Sequence, residues 1–192
     1  MLTEQQFAEA ATTLNCEPAA IKAVNQVESS GSGFRTDGKP KILFEGHIFW
    51  KQLLKIGKNP QALQAGNEDI LYPVWDLSQI RPFYKMDQFI RLNKAIAIDE
   101  EAALKSASWG AFQIMGFNAD RCGFNNVKDF VASQNDEFSQ LKCFCNYLQN
   151  SHLDVNLRNL DWKGFARGYN GADYTKNQYD IKLQKAYEQF KA

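Results

Sequence analysis

The chain has 192 residues, and its 22 basic and 22 acidic side chains leave no formal net charge. A length of this order suits one domain, and a content of 44% apolar residues argues against disorder. The neutral charge argues against a protein that binds nucleic acid or an anionic membrane surface.

The N-terminal segment has no basic stretch followed by an apolar run, so we expect no signal peptide and synthesis in the cytoplasm. No apolar stretch approaches the roughly eighteen residues that a membrane-spanning helix needs. The two histidines form no HExxH motif and the cysteines no paired CxxC motif, so we predict no metal and no cofactor. The four cysteines are expected to be buried free thiols: Cys16, Cys122, Cys143 and Cys145.

Two helices are predicted at the N-terminal end of the chain. Thr3 and Gln6 have the spacing of a capping box, which indicates that the first helix begins there. Pro18 suits the first turn of a second helix, and the apolar pattern carries this helix to about Ser29.

Glu28 lies on the apolar stripe of the second helix, because Ile21 and Val24 are three residues apart and Glu28 follows four residues later. Gly31 and Gly33 then end the helix. Burial among apolar neighbours keeps a carboxylic acid protonated, and glycoside hydrolysis needs such a proton donor. Helix geometry alone favours the other interpretation, a glutamate at a frayed helix end and half in water.

The segment from 33 to 46 predicts a small β-hairpin. Asp37-Gly38 is a turn signal, Pro40 excludes a helix, and Ile42 to Phe44 is a short strand-like run. This hairpin is the only sheet that the sequence predicts. A helical pattern follows over residues 46 to 64, and residues 66 to 85 indicate an irregular excursion or a small second lobe.

The rest of the chain has helical patterns, with one basic helix face at its end. The predicted helices span about 86–98, 99–108, 127–132, 136–150, 161–169 and 178–190. Lys182, Lys185 and Lys191 lie on one face of the last helix, which we interpret as the solvated face of a docked helix and not as a membrane surface. Without repeats or a linker, residues 1 to 192 are expected to form one catalytic domain, a monomer with no separate wall-binding module.

Two further clusters combine glycine, aromatic and amide side chains. The segment from Ser106 to Gly116 is either a tight core turn or a cleft wall, in which the Gln113 amide binds a sugar and Trp109 or Phe112 offers an apolar platform. The second cluster, FARGYNG, ends in a Tyr-Asn-Gly that is also a common helix cap.

Taken in order, these segments resemble a known family. Glu-Ser at the end of a helix, then GAFQIM, then YNG is similar to the three-part signature of the lysozyme-like superfamily, which includes goose-type lysozymes and soluble lytic transglycosylases. More closely, the chain resembles the N-acetylmuramidase family of phage endolysins, through VESSGSGF, DGKPKILFEGHIF, RLNKAIAIDEEAALKSASWGAFQIMGFN, CGF and FARGYNG. The resemblance runs nearly end to end.

The resemblance implies a mainly α, α+β lysozyme-like fold. A helical large lobe with a small β-hairpin and a smaller lobe would flank a sugar-binding groove. It also implies a peptidoglycan hydrolase that cleaves the bond after N-acetylmuramic acid, with peptidoglycan as its polymeric partner.

The resemblance also assigns roles to single residues. Glu28 matches the catalytic glutamate, and Asp37 matches the second acidic position of phage-type lysozymes. The threonine expected six residues beyond that aspartate is Leu43 here, with Thr36 before Asp37 instead. Glu45 is a rival second carboxylate, because it follows the strand expected to line the cleft. Substrate binding is expected from Gln113, Trp109, Phe112, Tyr169 and Asn170.

Three alternatives stay open from the sequence. A lytic transglycosylase needs one acid and no water, a helical chitinase shares the superfamily core, and a non-catalytic wall-binding protein needs no acid. An endolysin without a signal peptide is expected to reach peptidoglycan through a holin-type pore.

Overall fold

The computed structural model describes residues 2–29 and 32–191. The helices, in chain order, are α1 (Glu4–Leu14), α2 (Pro18–Ser29), α3 (Gly46–Lys55), α4 (Leu77–Tyr84), α5 (Gln88–Ile96), α6 (Glu100–Lys105), α7 (Val127–Ser133), α8 (Glu137–Asn150), α9 (Asp154–Arg158), α10 (Trp162–Asn170) and α11 (Tyr179–Lys191). The strands are β1 (Ile42–Phe44), β2 (Ala107–Trp109) and β3 (Ile114–Met115), and short 3₁₀ turns span Gly116–Asn118 and Ala172–Asn177. The predicted mainly helical architecture with a small sheet is confirmed.

The first two helices follow the sequence signals closely. The Thr3 hydroxyl accepts a hydrogen bond from the Gln6 backbone N–H at 3.2 Å, and the Gln6 side chain accepts one from the Thr3 N–H at 2.9 Å. The predicted capping box is therefore formed. Helix α2 spans Pro18 to Ser29 as predicted. Gly31, which was predicted to help end α2, lies outside the described residues.

The sheet differs from the prediction of one local hairpin. A short turn does form, with Phe34 bridged to Pro40 and the Arg35 N–H donating to the Lys39 carbonyl at 2.8 Å. Strand β1, however, pairs antiparallel with β2, and β2 pairs antiparallel with β3, so the sheet has three strands in the order β1-β2-β3. The predicted hairpin turn is therefore present, but the sheet is larger than this hairpin, because a sequence pattern does not reveal pairing with a distant strand.

The two faces of the sheet have different surroundings. Side chains alternate along a strand, so the following residues share the core face and are buried: Ile42, Phe44, Ala107, Trp109 and Ile114. Leu43, Ser108 and Met115 share the opposite face through the same register, and Leu43 and Met115 are partly exposed. This second face is therefore less completely buried than the core face.

A buried arginine ties residues 57–85 to the sheet. The Arg91 side chain is 0% exposed. It donates to the Asp69 carbonyl at 2.7 and 3.0 Å and to the Phe44 carbonyl at 2.8 Å. The predicted irregular excursion also contains helix α4, which accommodates Pro82 inside it. The lobe formed by residues 57–85 is therefore linked to β1 by hydrogen bonds from Arg91 to the backbone carbonyls of Asp69 and Phe44.

The cysteines are free thiols, as predicted. Cys122, Cys143 and Cys145 are buried, and Cys16 is partly buried. Burial raises the pKa of Cys16 to about 11 and that of Cys145 to about 12. Thiols with such pKa values are protonated at neutral pH and therefore weak nucleophiles.

The last helix docks on α2, and its predicted basic face is solvated. Helix α11 makes its most extensive packing with α2, while Lys182, Lys185 and Lys191 are exposed. Across residues 2–29 and 32–191, no helix combines the length and apolarity required to cross a bilayer. The expectation of a single domain stays a prediction.

Candidate active site

The carboxyl of Glu28 lies at the C-terminal end of α2 in a shielded position. Its helix neighbours Ile21 and Val24 are fully buried, and Glu28 itself is partly buried. Asn170 Nδ2 donates to Glu28 Oε1 at 3.0 Å. Burial raises the pKa of Glu28, while the Asn170 hydrogen bond and the Lys182 charge partly counteract this effect. Glu28 therefore keeps its proton to a higher pH than an ordinary glutamate, as a general acid must.

Asn170 brings an unused acceptor to the acid. It ends helix α10, and Gly171 follows with a φ of 86°. That left-handed conformation suits glycine, which explains the order Asn-Gly at this helix end. Asn170 Oδ1 is buried and has no hydrogen-bond partner within the described ranges. A buried amide oxygen without a partner is costly, so its position beside Glu28 indicates a place for a ligand donor.

An aromatic cluster fixes the end of α10. The Tyr169 hydroxyl donates to the Phe112 carbonyl at 2.6 Å. The Tyr169 ring stacks on Phe165 at 5.4 Å and meets Phe144 edge-on at 5.8 Å. Because Phe112 in turn stacks on Phe144 at 4.2 Å, the cluster links α8, α10 and the β2–β3 loop. The neighbouring Asn170 is thereby held at Glu28.

The loop between β2 and β3 is built by the predicted Gly-Ala-x-Gln segment. Gly110 has a φ of 71° and Gln113 a φ of 48°. The Gln113 side chain donates to the Gly110 carbonyl at 2.9 Å and accepts from the Ser108 hydroxyl at 2.8 Å. It also donates to the Lys41 carbonyl at 3.4 Å. Most of the Gln113 amide is therefore engaged in holding the loop, and one lone pair of Oε1 is left for a ligand.

Glycine permits the close approach between this loop and the segment after α2. A Cβ on Gly33 would lie 2.8 Å from the Ala111 nitrogen and would collide with the Gln140 side chain. The buried Gln140 accepts from the Ala111 N–H at 2.7 Å and donates to the Gln134 carbonyl. These contacts bring Gly33, five residues after Glu28, against the β2–β3 loop.

Trp109 and Phe112 do not offer the apolar platform that was expected of them. Their exposed fractions are 3% and 2%. Trp109 donates its indole N–H to the Leu104 carbonyl at 3.2 Å, and Phe112 is stacked on Phe144. Trp109 lies in the core because it stands on the buried face of β2. Phe112 lies in the core because its ring packs on Phe144. That part of the prediction was wrong, and the tight-core-turn alternative describes both side chains.

Asp37 and Glu45 lie at different ends of the first strand region. Asp37 is exposed in the turn before β1, where it accepts from the Lys39 N–H at 3.2 Å and pairs with Arg35 at 3.4 Å. Glu45 directly follows β1. Its carboxylate accepts from the Tyr84 hydroxyl at 2.8 Å. In the part of the chain that the structure describes, neither carboxylate is hydrogen-bonded to Glu28 or Asn170.

The strand geometry separates Glu45 from the loop at Gln113. Gln113 contacts the carbonyl of Lys41, and Glu45 lies four residues further along an extended segment. At ~3.3 Å per residue, this corresponds to about 13 Å. Glu28 and Asn170 stand at the Gln113 end, since Tyr169 bonds the adjoining Phe112 carbonyl. Glu45 is thus displaced along β1 from the end at which Gln113 lies.

Two residues of α11 near the acid were not identified from the sequence. Lys182 and Tyr179 lie where α11 packs on α2. The Lys182 charge lowers the pKa of Glu28, and the pKa of Tyr179 is raised by burial and, in second place, by Glu28. The helical pattern predicts α11 itself, but it does not show which of its polar side chains comes close to α2.

Similarity to known proteins extends over most of the chain. The model of a family described as Muramidase, N-acetylmuramidase, matches residues 17–191. A solved structure titled "Crystal structure of Burkholderia AP3 phage endolysin" is similar, with a TM-score of 0.88 and 36% sequence identity over 99% of this chain and 71% of that chain. No curated protein matches.

Proposed function

The chain belongs to the N-acetylmuramidase family of peptidoglycan-degrading enzymes, and we propose that it is an endolysin-type lysozyme that cleaves the β-1,4 bond between N-acetylmuramic acid and N-acetylglucosamine. The observation that supports this most is the shielded Glu28 carboxyl, bonded to Asn170 beside an unpartnered amide oxygen. We propose Glu28 as the general acid that protonates the glycosidic oxygen when the bond breaks.

Asn170 and its neighbours supply the polar groups that bind the sugar. Asn170 Oδ1 is placed to accept from an acetamido N–H of the substrate, which would satisfy its missing hydrogen bond. The remaining lone pair of Gln113 Oε1 can accept from a sugar hydroxyl. Tyr169 contributes indirectly, because its hydroxyl is engaged by the Phe112 carbonyl and its ring positions Asn170. In this proposal Tyr169 is a positioning residue.

The second carboxylate stays a prediction, with Asp37 and Glu45 as its candidates. A retaining glycosidase needs its two carboxyls about 5–5.5 Å apart, and an inverting enzyme about 6.5–9.5 Å. Asp37 is engaged by Arg35 in an exposed turn, and Glu45 by Tyr84 at the far end of β1. These contacts favour a second candidate function, a lytic transglycosylase, which needs Glu28 alone.

The released products distinguish the two reactions. We expect muropeptides from purified peptidoglycan to carry reducing N-acetylmuramic acid ends, because a lysozyme transfers the N-acetylmuramyl group to water and releases the other sugar with the glycosidic oxygen. Mass spectrometry of the digest measures this directly, since the anhydro product is lighter by one water. A digest dominated by anhydro ends would contradict the hydrolase and establish the transglycosylase.

The charge of Lys182 gives a test of Glu28 through the pH profile. Lys182 lowers the pKa of Glu28, so Lys182→Met should raise this pKa. Activity requires protonated Glu28, and it is lost as pH rises through that pKa. The alkaline limb of the rate profile should therefore move to higher pH. Rates should be measured at low ionic strength, because an exposed charge is screened by salt.

Lys185→Met is the matched control for this experiment. Lys185 is an exposed lysine of the same helix, and its charge is not among those that shift the pKa of Glu28. The control should leave the alkaline limb in place. A limb that moves to lower pH in Lys182→Met, or that moves equally in both variants, would argue against Glu28 as the titrating acid.

We further propose that the enzyme acts as a monomer and reaches peptidoglycan through a holin-type pore. These proposals follow from the endolysin resemblance. Sedimentation of the purified chain and lysis of cells with and without a co-expressed pore protein would test them.

A further inference from the structure

Strand β1 turns one of its edges away from the sheet. The strand order β1-β2-β3 makes β1 an outer strand within the described residues. Backbone groups alternate in direction along a strand. The Phe44 N–H and carbonyl point away from β2, because they bond to the Gln88 and Arg91 side chains at 3.2 and 2.8 Å. Ile42 lies two residues earlier, so its N–H and carbonyl point toward the same outer edge.

The outer edge is covered at Phe44 but borders a cavity at Ile42. A cavity of about 440 Å³ is lined by Ile42, by Arg35 and by residues 85–88, which precede α5. Gln88 shows that the cavity lies on the outer side of β1, since it lines the cavity and also bonds to the outer edge at Phe44. An open strand edge is a template for pairing with another extended chain.

The surroundings of this cavity are basic, although the whole chain has no net charge. Four basic and two acidic side chains stand at or next to it: Arg35, Lys39, Lys41, Lys85, Asp37 and Asp87. Two nitrogens of Arg35 contact Asp87 Oδ2 at 3.0 Å each, so this pair is close to neutral. The lysines supply the excess positive charge. An open strand edge with basic side chains suits an extended peptide that carries carboxylates.

The cavity lies at the end of β1 that is closer to the candidate acid. The Lys41 carbonyl accepts from the Gln113 side chain at 3.4 Å, and Glu28 stands at this Gln113 end of the sheet. Lys41 also lines the cavity on the outer side of β1. Neighbouring strands are about 4.8 Å apart and an extended chain advances about 3.3 Å per residue. A peptide arm of a few residues is therefore long enough to cross from Gln113 to the outer edge.

We propose that the outer edge of β1, together with Lys41 and Lys85, binds the stem peptide that N-acetylmuramic acid carries in peptidoglycan. The peptide lies extended beside β1 and exchanges backbone hydrogen bonds with Ile42, and its carboxylates face the two lysines. The enzyme consequently prefers glycan with charged stem peptides to glycan without them. The inference rests on the proposed function, since it assigns the peptide part of the same substrate.

Cleavage of strands with charged and with neutral stem peptides tests the role of the lysines. The substrates are soluble peptide-bearing glycan strands and the same strands after amidation of their carboxyl groups. At low ionic strength, Lys85→Glu should lower kcat/KM on the charged strands about fivefold, the size expected for one exposed charge contact. It should leave kcat/KM on the amidated strands unchanged. Lys85→Gln should cause a smaller loss in the same direction.

Lys185→Glu is the matched control, because it makes the same change in net charge on α11, which packs on α2 and α10. It should leave the ratio of kcat/KM between the two substrates as in the wild type. The peptide site is overturned if Lys85→Glu keeps the wild-type ratio, or if Lys185→Glu changes the ratio as much.

NMR of the full chain carrying Glu28→Gln tests the strand edge separately. The backbone amide signal of Ile42 should shift on titration with the disaccharide that carries its stem peptide, and it should not shift with the peptide-free disaccharide. An Ile42 signal that ignores the peptide would overturn the pairing with β1. Failure of the proposed function is distinguishable, since the wild-type chain would then cleave neither the charged nor the amidated strands.

Discussion

Glu28→Gln should lower the rate of peptidoglycan cleavage by about 10²–10⁴-fold, the usual contribution of a general acid. Glutamine preserves the shape of the side chain and can still bond to Asn170, but it has no proton to give. The rate should be measured as release of muropeptides from purified peptidoglycan, so that binding to whole cells does not limit it.

The same substitution should not destabilise the fold. The folded-state pKa of Glu28 is raised, so the folded state binds its proton more tightly than the unfolded chain does. Its stabilising contribution is complete at low pH and is lost as pH rises through the raised pKa. At neutral pH, Glu28→Gln should therefore have an unchanged or higher melting temperature. A fall in both activity and melting temperature would indicate a structural role.

Glu9→Gln is the matched control for Glu28→Gln. Glu9 is exposed on α1, where its carboxylate accepts a hydrogen bond from Gln5 Nε2 at 3.2 Å. This variant should keep the wild-type rate. Near-wild-type activity of Glu28→Gln would remove Glu28 from the catalytic mechanism.

Arg91→Met should cause a large loss of stability. Arg91 is fully buried and donates to the carbonyls of Asp69 and Phe44 and to the Gln88 side chain. Methionine fills a similar volume but removes the donor that Arg91 supplies to the two carbonyls, while Gln88 Oε1 still accepts from the Phe44 N–H. We expect the free energy of unfolding to fall by about 3–4 kcal/mol, measured by urea denaturation.

Two comparisons isolate the cause of that loss. Arg91→Lys keeps the charge but cannot donate in the planar fork that reaches both carbonyls, so it should also be strongly destabilising. Arg81→Met, at an exposed position of α4, should change the free energy of unfolding by less than about 0.5 kcal/mol. If Arg91→Met were as stable as Arg81→Met, the hydrogen bonds of Arg91 would not hold the lobe.

The helices were predictable where their signals are local. The capping box of Thr3 and Gln6 and the proline at position 18 define the beginnings of α1 and α2 within a few residues of sequence. Helix α4 was missed because Pro82 and the aromatic residues around it suggest irregular structure. It nevertheless forms, with Asp76 capping it by accepting from the Ser78 N–H. Helix α9, with only five residues, offers too short a pattern to identify.

The sheet was less predictable because its pairing is not local. Leu43 and Ser108 pair although they are 65 residues apart in the chain. The strand-like pattern of Ile42 to Phe44 does not indicate which strand it pairs with. The same limit explains the error at Trp109 and Phe112. Aromatic side chains fit a sugar-binding surface and a core equally well. Only the register between β1 and β2 shows that the Trp109 side chain lies on the core face.

The residues of the candidate site were predictable from sequence motifs, but the contacts between their side chains were not. The family resemblance pointed to Glu28 and Asn170, which the structure joins by a hydrogen bond. It did not indicate that Asn170 leaves an acceptor unused, nor that α11 brings Lys182 toward the acid. It also could not assign Glu45, whose partner Tyr84 lies in a lobe without a clear sequence pattern.

We propose Glu28 as a carboxyl that is shielded from water and holds its proton until the glycosidic oxygen takes it. NMR titration of the Glu28 side-chain carboxyl in the full chain measures this most directly, with Glu28→Gln used to assign the signal. The result we predict is a midpoint clearly above the ordinary glutamate value of about 4.3. A midpoint at or below that value would contradict the assignment of Glu28 as the acid.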